Sequence, residues 1–145
     1  RSTSGSSAHL VLTYYYYPNA NCTAATCQLD VGFSTSSDGG ASWTSNKKLA
    51  GPMTLSWLPN TTQGRMVADY LSTSFVGASG PAFPAFAVAN APSGGPDCQT
   101  ATPTCDQATF TVGGGLSVGG SANPATDQIS SSSNARDGSS QLTVE

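Results

Sequence analysis

Apolar residues along this chain fall in short runs broken by Gly, Pro, Asn and Ser, and the runs predict strands. Residues 9–17 form the first. Alternation sends Leu10, Leu12, Tyr14 and Tyr16 to one face and Val11, Thr13, Tyr15 and Tyr17 to the other. Both faces are largely apolar, so cover is expected on both sides, and Pro18-Asn19 ends the run. Residues 28–35 form a second strand with Leu29, Val31 and Phe33 on one face. A turn at 36–40 leads into a third, 41–49, which carries Trp43. After Gly51-Pro52, residues 53–58 make a short apolar stretch and 59–64 a loop. A longer strand is expected over 65–75, with Met66, Ala68, Tyr70 and Ser72 opposite Val67, Asp69, Leu71 and Thr73. Residues 77–81 turn into another strand, 83–90, where Pro84 favours a strand start or a sheet edge. A loop over 91–104 precedes a last clear strand at 107–112. From Gly113 the chain becomes Gly- and Ser-rich. This tail is expected to be extended, or ordered only by docking, with residues 141–144 as one terminal strand.

The composition agrees with an all-β reading. Only 9% of the residues are charged, against roughly 25% in ordinary soluble domains, and Gly, Ser, Thr, Asn and Pro fill the difference. The net charge of −3 leaves no basic face to displace counterions from a nucleic acid, which argues against DNA or RNA as a partner. The most apolar stretch, 82–91, is about half the roughly 20 residues that a membrane-spanning helix requires, and it contains Pro84. The first residue is Arg rather than Met, and the expectation is a processed or excised product.

Four cysteines sit in two close pairs, Cys22 with Cys27 and Cys98 with Cys105. Neither spacing matches a CxxC metal or redox pattern, and His9 is remote from both. Two local disulfides, Cys22–Cys27 and Cys98–Cys105, explain the pairs more simply than a metal site, and they imply an oxidising compartment. Loops this small would be locked in shape more than stabilised globally. Asn60-Thr61-Thr62 and Asn21-Cys22-Thr23 are glycosylation sequons that agree with export; the second is weakened by its cysteine. Asp97, Asp106, Asp127 and Asp137 are scattered, with no calcium-loop spacing. No phosphate loop or cofactor motif is present, so no metal and no cofactor is expected.

Residues 36–43, Ser-Ser-Asp-Gly-Gly-Ala-Ser-Trp, fit Ser-x-Asp-x-Gly-x-x-Trp. Ser36 and Asp38 can accept hydrogen bonds from backbone N–H groups of their own turn. Gly39 and Gly40 supply backbone angles that other residues resist. Trp43 stands far enough along to fold back under the turn and be buried. This pattern resembles the Asp-box, or BNR repeat, of secreted bacterial sialidase-like β-propellers, with Ser36, Asp38, Gly40 and Trp43 as its structural residues. The likeness extends to Tyr14–Tyr17, Cys22, residues 27–31, Gly51-Pro52-Met53, residues 64–70 and residues 86–89, and it covers about 100 residues in all.

The resemblance implies antiparallel blades of a propeller. A whole propeller takes about 4–8 blades of four strands, and about six clear strands are visible here, enough for one and a half to two blades. The resulting layout is a flexible lead-in (1–8), an Asp-box blade segment (9–58), a second blade segment (59–112) and a low-complexity tail (113–145). The first strand before the box hairpin is missing from the pattern, so a fragment, partner chains or self-association is expected to complete the sheets.

Sialidases hold the substrate carboxylate with an arginine cluster and use a Tyr–Glu pair and an Asp for catalysis. Here the only Glu is Glu145, and Arg1 and Arg136 lie near the ends. That leaves Arg65, Asp69 and Tyr70 as catalytic candidates, with a structural Asp69 the simpler reading. The four tyrosines could stack on a sugar, although core packing accounts for them more simply. The resulting expectation is a secreted, glycan-related segment, non-catalytic by itself; in an enzyme it would belong to an exo-sialidase-like glycoside hydrolase. An assembly protein that pairs with copies of itself or with other chains, and a small glycan-binding module, are the alternatives.

Overall fold

The computed structural model describes residues 5–67, 71–77, 80–98 and 104–119. It is all-β, built on two three-stranded antiparallel sheets and one small hairpin. The first sheet contains β1 (Leu10–Tyr16), β2 (Gln28–Ser36) and β3 (Lys47–Thr54), in that spatial order. The hairpin joins β4 (Asn60–Thr61) to β5 (Gly64–Arg65). The second sheet contains β6 (Ser72–Phe75), β7 (Ala82–Asn90) and β8 (Asp106–Phe110), with β7 in the middle.

Alternation works as the sequence implies in β1 and β2. Val11, Thr13 and Tyr15 pair across from Thr35, Phe33 and Val31 on the inner face, while Leu10, Leu12, Tyr14 and Tyr16 pair across from Ser36, Ser34, Gly32 and Asp30 on the outer one. Leu29, Val31 and Phe33 join Leu49 and Met53 of β3 and Ala82, Phe86 and Ala89 of β7 in one buried cluster, completed by Leu58, Val112 and Leu116. Among the described residues nothing covers the outer face of β1 at Leu12, which is 50% exposed.

The two sheets meet through unusual hydrogen bonds. Among the described residues β6 pairs with β7 only over residues 82–85, and none of them forms a strand beside the next backbone groups on that edge of β7. Tyr15 supplies the substitute: its hydroxyl accepts from Ala87 N–H (3.0 Å) and donates to Ala87 C=O (2.8 Å). Two residues on, Ala89 N–H is directed at the Met53 sulfur (3.2 Å). The Thr13 and Thr73 hydroxyls bond at 2.8 Å where β1 approaches β6.

Several expectations are corrected. The third strand starts at Lys47 rather than at 41, and it continues through Gly51-Pro52 to Thr54; residues 55–57 form a 3₁₀ turn. The long strand over 65–75 is not continuous: Arg65 ends the small hairpin and a new strand begins only at Ser72. Pro84 lies in a central strand, not at a start or an edge. Ala82 bonds Leu116 on the β8 side, and β8 itself pairs only from Phe86 onward. Pro84, two residues after Ala82, therefore turns its nitrogen into the gap between these contacts, where no donor is needed. The tail does not begin at Gly113. Leu116 is bridged to Ala82 and buried, and Val112 lies in the core. In the lead-in, residues 5–7 form a 3₁₀ turn and Ala8 C=O accepts from Gly39 N–H. Residues 141–144 lie outside the described residues.

Both expected disulfides are present, Cys22–Cys27 and Cys98–Cys105, which suits an oxidising, extracellular-type environment. Among the described residues no helix is long and apolar enough to cross a membrane.

Candidate functional site

The turn of residues 36–43, whose sequence resembles an Asp-box, lies between β2 and β3. Ser36 Oγ accepts from Gly40 N–H (2.8 Å) and donates to Asp38 Oδ1 (2.8 Å). Asp38 Oδ1 also accepts from Ser42 N–H (2.9 Å), and Oδ2 accepts from the Ser42 hydroxyl (2.5 Å). These bonds, the Ser42 hydroxyl foremost, stabilise the charged carboxylate and lower its pKa to about 2. Gly39 and Gly40 both take positive φ, and a side chain at Gly39 would run into the Gly5 carbonyl of the lead-in.

The indole departs from expectation. Trp43 lies in the loop before β3 and is 45% exposed, rather than buried in a strand. Its ring N–H donates to Gly40 C=O at 3.1 Å, so the ring is tied to the turn without sealing it. A buried indole is what the resemblance implies. This turn has the polar bonding expected of the pattern and lacks the expected apolar seal, and the motif alone therefore does not establish the family.

Beside the turn lies the outer face of the first sheet. The Tyr14 ring lies across Gly32, where a Cβ would come within 2.8–2.9 Å of its carbons; only glycine leaves that seat open. The Tyr14 hydroxyl donates to Asn46 Oδ1 (2.8 Å) and lies 3.4 Å from Ser34 Oγ. The Tyr16 ring stands next to it, 5.8 Å between centroids and tilted by 56°. Lys48 Nζ pairs with Asp30 Oδ2 at 2.8 Å. Asp30 is 3% exposed, and its Oδ1 has no hydrogen-bond partner among the described residues. The face thus combines two tyrosine rings, an amide, a hydroxyl and an ion pair. Leu10, Leu12 and Trp43 continue it as uncovered apolar surface.

Arg65 is occupied elsewhere. Its guanidinium donates to Leu58 C=O (2.7 Å) and Ser56 C=O (3.5 Å) and lies 3.7 Å from Asp97. With Cys98 N–H donating to Ser56 C=O and the Ser56 hydroxyl to Pro96 C=O, it fastens residues 55–58 to the segment before Cys98. Asp69 and Tyr70 lie outside the described residues, so the expected trio is not brought together by anything described. Asn21 and Asn60 are both exposed. Among the described residues no group of His, Cys, Asp and Glu has a metal-binding arrangement.

Two clefts flank the sheet junction. One, about 380 Å³, separates β1 from β6. The other, about 330 Å³, is bounded by Lys48, Leu49, Phe86, Val88, Asn90 and Phe110. Sequence reading missed Asn46, Lys48 and the role of Tyr15. Asn46 and Lys48 carried no spacing signal, because their positions depend on where β3 begins.

The chain matches no protein-family model, and no curated protein and no solved structure matches it.

Proposed function

We propose that this chain is a two-sheet segment of a larger exported β-protein, in which a further sheet covers the outer face of the first, and that the whole is glycan-directed in the manner of the sialidase-like propellers its Asp-box turn resembles. The observation that carries the proposal is the uncovered line of Leu10, Leu12 and Trp43 beside that turn. A substituent on Gly40 would touch both Leu10 and Trp43, so these side chains form one patch rather than scattered exposures. The glycan direction draws on the neighbouring Tyr14 and Tyr16 rings, whose apolar faces suit a sugar, with Asn46 and Lys48 as polar partners. The chain by itself is non-catalytic in this reading: Arg65 is held by backbone carbonyls, and no acid–base pair is assembled among the described residues.

A specific observation also favours the assembly alternative. β1 and β3 each pair only with β2 among the described residues, and open edges of this kind accept strands from another chain. Fluorescence distinguishes the readings. In a Trp57→Phe background Trp43 is the only indole. Its emission should be that of a solvent-exposed indole in the dilute monomer. A blue shift that rises with concentration, with light scattering reporting a defined oligomer, identifies copies of this chain as the cover. A blue shift only within a longer parent polypeptide identifies an adjoining sheet. Emission typical of a buried indole in the dilute monomer refutes the proposal. Binding on a glycan array that is lost on Tyr14→Ala supports the glycan direction, and its absence from the parent protein removes it.

A further inference from the structure

Tyr14, Gly32 and Lys48 stand in one row across β1, β2 and β3 of the first sheet. The Tyr14 ring follows that row. Its Cε2 and Cζ lie 2.8 and 2.9 Å from where a Cβ on Gly32 would stand, and its hydroxyl reaches Asn46 Oδ1, just ahead of β3. A ring that starts on β1 and ends beside β3 lies down over β2 rather than standing off the sheet. One side rests on the β2 backbone at Gly32. Tyr14 remains partly exposed, so the other side faces outward as a platform, flanked by the Tyr16 ring at 5.8 Å. The hydroxyl end is fixed and polar. The Tyr14 proton goes to Asn46 Oδ1, which leaves the Tyr14 oxygen able to accept and the exposed Asn46 amide nitrogen able to donate.

The charge beside this platform is cancelled. The exposed Lys48 Nζ lies 2.8 Å from Oδ2 of Asp30, and Asp30 is buried. An acidic sugar drawn to Lys48 would bring a second anion close to the Asp30 carboxylate. The attraction of the ammonium and the repulsion of the carboxylate then largely offset each other, while the acid group still loses water. A neutral sugar meets no such opposition. It needs an apolar surface and a few well-placed donors and acceptors, and Tyr14, Tyr16 and Asn46 supply both.

We infer that this face takes neutral glycans and discriminates against acidic ones, those carrying a sialyl, uronate or sulfate group. The inference rests on the glycan reading above and names the class of sugar. A neutral pyranose lies on the Tyr14 ring, and its hydroxyls bond the Tyr14 oxygen and Asn46 Nδ2. The Lys48–Asp30 pair turns acids away by leaving no free positive charge. Affinity then comes from uncharged contacts and does not depend on salt. All of these residues lie on β1, β2, β3 and the loop before β3, so the chain holds the site without a partner.

An array probed with the full chain tests the inference, with neutral hexose oligosaccharides printed beside their sialylated, uronate-containing and sulfated counterparts. The neutral members should bind tighter than the acidic ones by about tenfold or more, with no change between about 0.05 and 0.3 M NaCl. Tyr14→Ala should weaken that binding by about tenfold or more, as loss of a central aromatic contact does. Gly32→Ala, which keeps the ring but dislodges it, should do the same. Asp30→Asn frees the ammonium, and the acidic glycans should then gain about tenfold and become salt-sensitive. Acidic glycans that bind the unmodified chain as well as the neutral ones do, or acidic binding unchanged in Asp30→Asn, overturn the inference and leave the glycan reading in place. Binding of no glycan by this chain overturns the inference, and binding of none by a longer parent polypeptide removes the glycan reading itself. Should Asp30→Asn not fold, the ratio of neutral to acidic binding in the unmodified chain decides by itself.

Discussion

Replacing Tyr15 with Phe removes one oxygen and two hydrogen bonds. The hydroxyl is half-buried between the sheets and makes both of its bonds to Ala87, accepting from N–H at 3.0 Å and donating to C=O at 2.8 Å. Those groups lie just past the stretch of β7, residues 82–85, that pairs with β6 among the described residues. A neutral hydrogen bond contributes roughly 0.5–1.5 kcal/mol net, and a buried group left unpartnered costs about 1–3 kcal/mol. Ala87 is only partly buried, so water offsets some of the loss, and about 2 kcal/mol is expected. With a urea slope of about 1–3 kcal/mol/M, the unfolding midpoint should fall by about 1 M with the slope unchanged. The exposed Tyr17 provides the control: Tyr17→Phe should leave the midpoint in place. Alkaline pH offers a second route to the same bond. Burial raises the Tyr15 pKa above its ordinary value of 10.0, with the Ala87 N–H acting in the opposite direction. The folded chain therefore holds the proton more tightly than the unfolded chain does. The associated stability is complete below pH 10 and is lost as pH rises through the folded-state value; Tyr15→Phe should remove that part of the alkaline loss. A midpoint shift below about 0.2 M in Tyr15→Phe would refute the claim that this hydroxyl substitutes for a strand.

Phe86→Ala, at a residue 1% exposed in the middle of the shared cluster, should cost about 3–5 kcal/mol, read from the same urea transitions. Trp43→Ala should cost only about 1 kcal/mol, because roughly half of the ring already meets solvent; a loss above about 3 kcal/mol would show that the indole seals a core after all. The Asp38 carboxylate should titrate with a midpoint near 2 when followed by carbon NMR. Since the folded-state value lies below the unfolded one, its contribution is present above about pH 4 and declines as pH falls toward 2; Ser42→Ala should move the midpoint upward. The purified chain should release no sialic acid from a model substrate; turnover abolished by Asp69→Ala would overturn the non-catalytic reading.

What the sequence determined by itself was local. Alternation marked β1 and β2 and assigned their faces, because a strand repeats every two residues regardless of its neighbours; that only one face of β1 would be covered was not legible, since both of its faces read as apolar. The Ser36–Asp38 turn was legible for the same reason: its hydrogen bonds close within seven residues. The two disulfides likewise close short loops. Tertiary structure decided what depends on partners far along the chain. Trp43 was expected in a strand and buried, but burial requires a surface to pack on, and none of the described residues provides it. Pro84 read as an edge residue, yet it occupies a central strand because β8 and Leu116 leave a gap at its nitrogen. Leu116 read as tail in a glycine-rich stretch and became core through its bridge to Ala82. Tyr15 was one of four identical letters in a row. Only the fold, which brings Ala87 of β7, 72 residues away along the chain, against β1, made its hydroxyl a bond between the sheets.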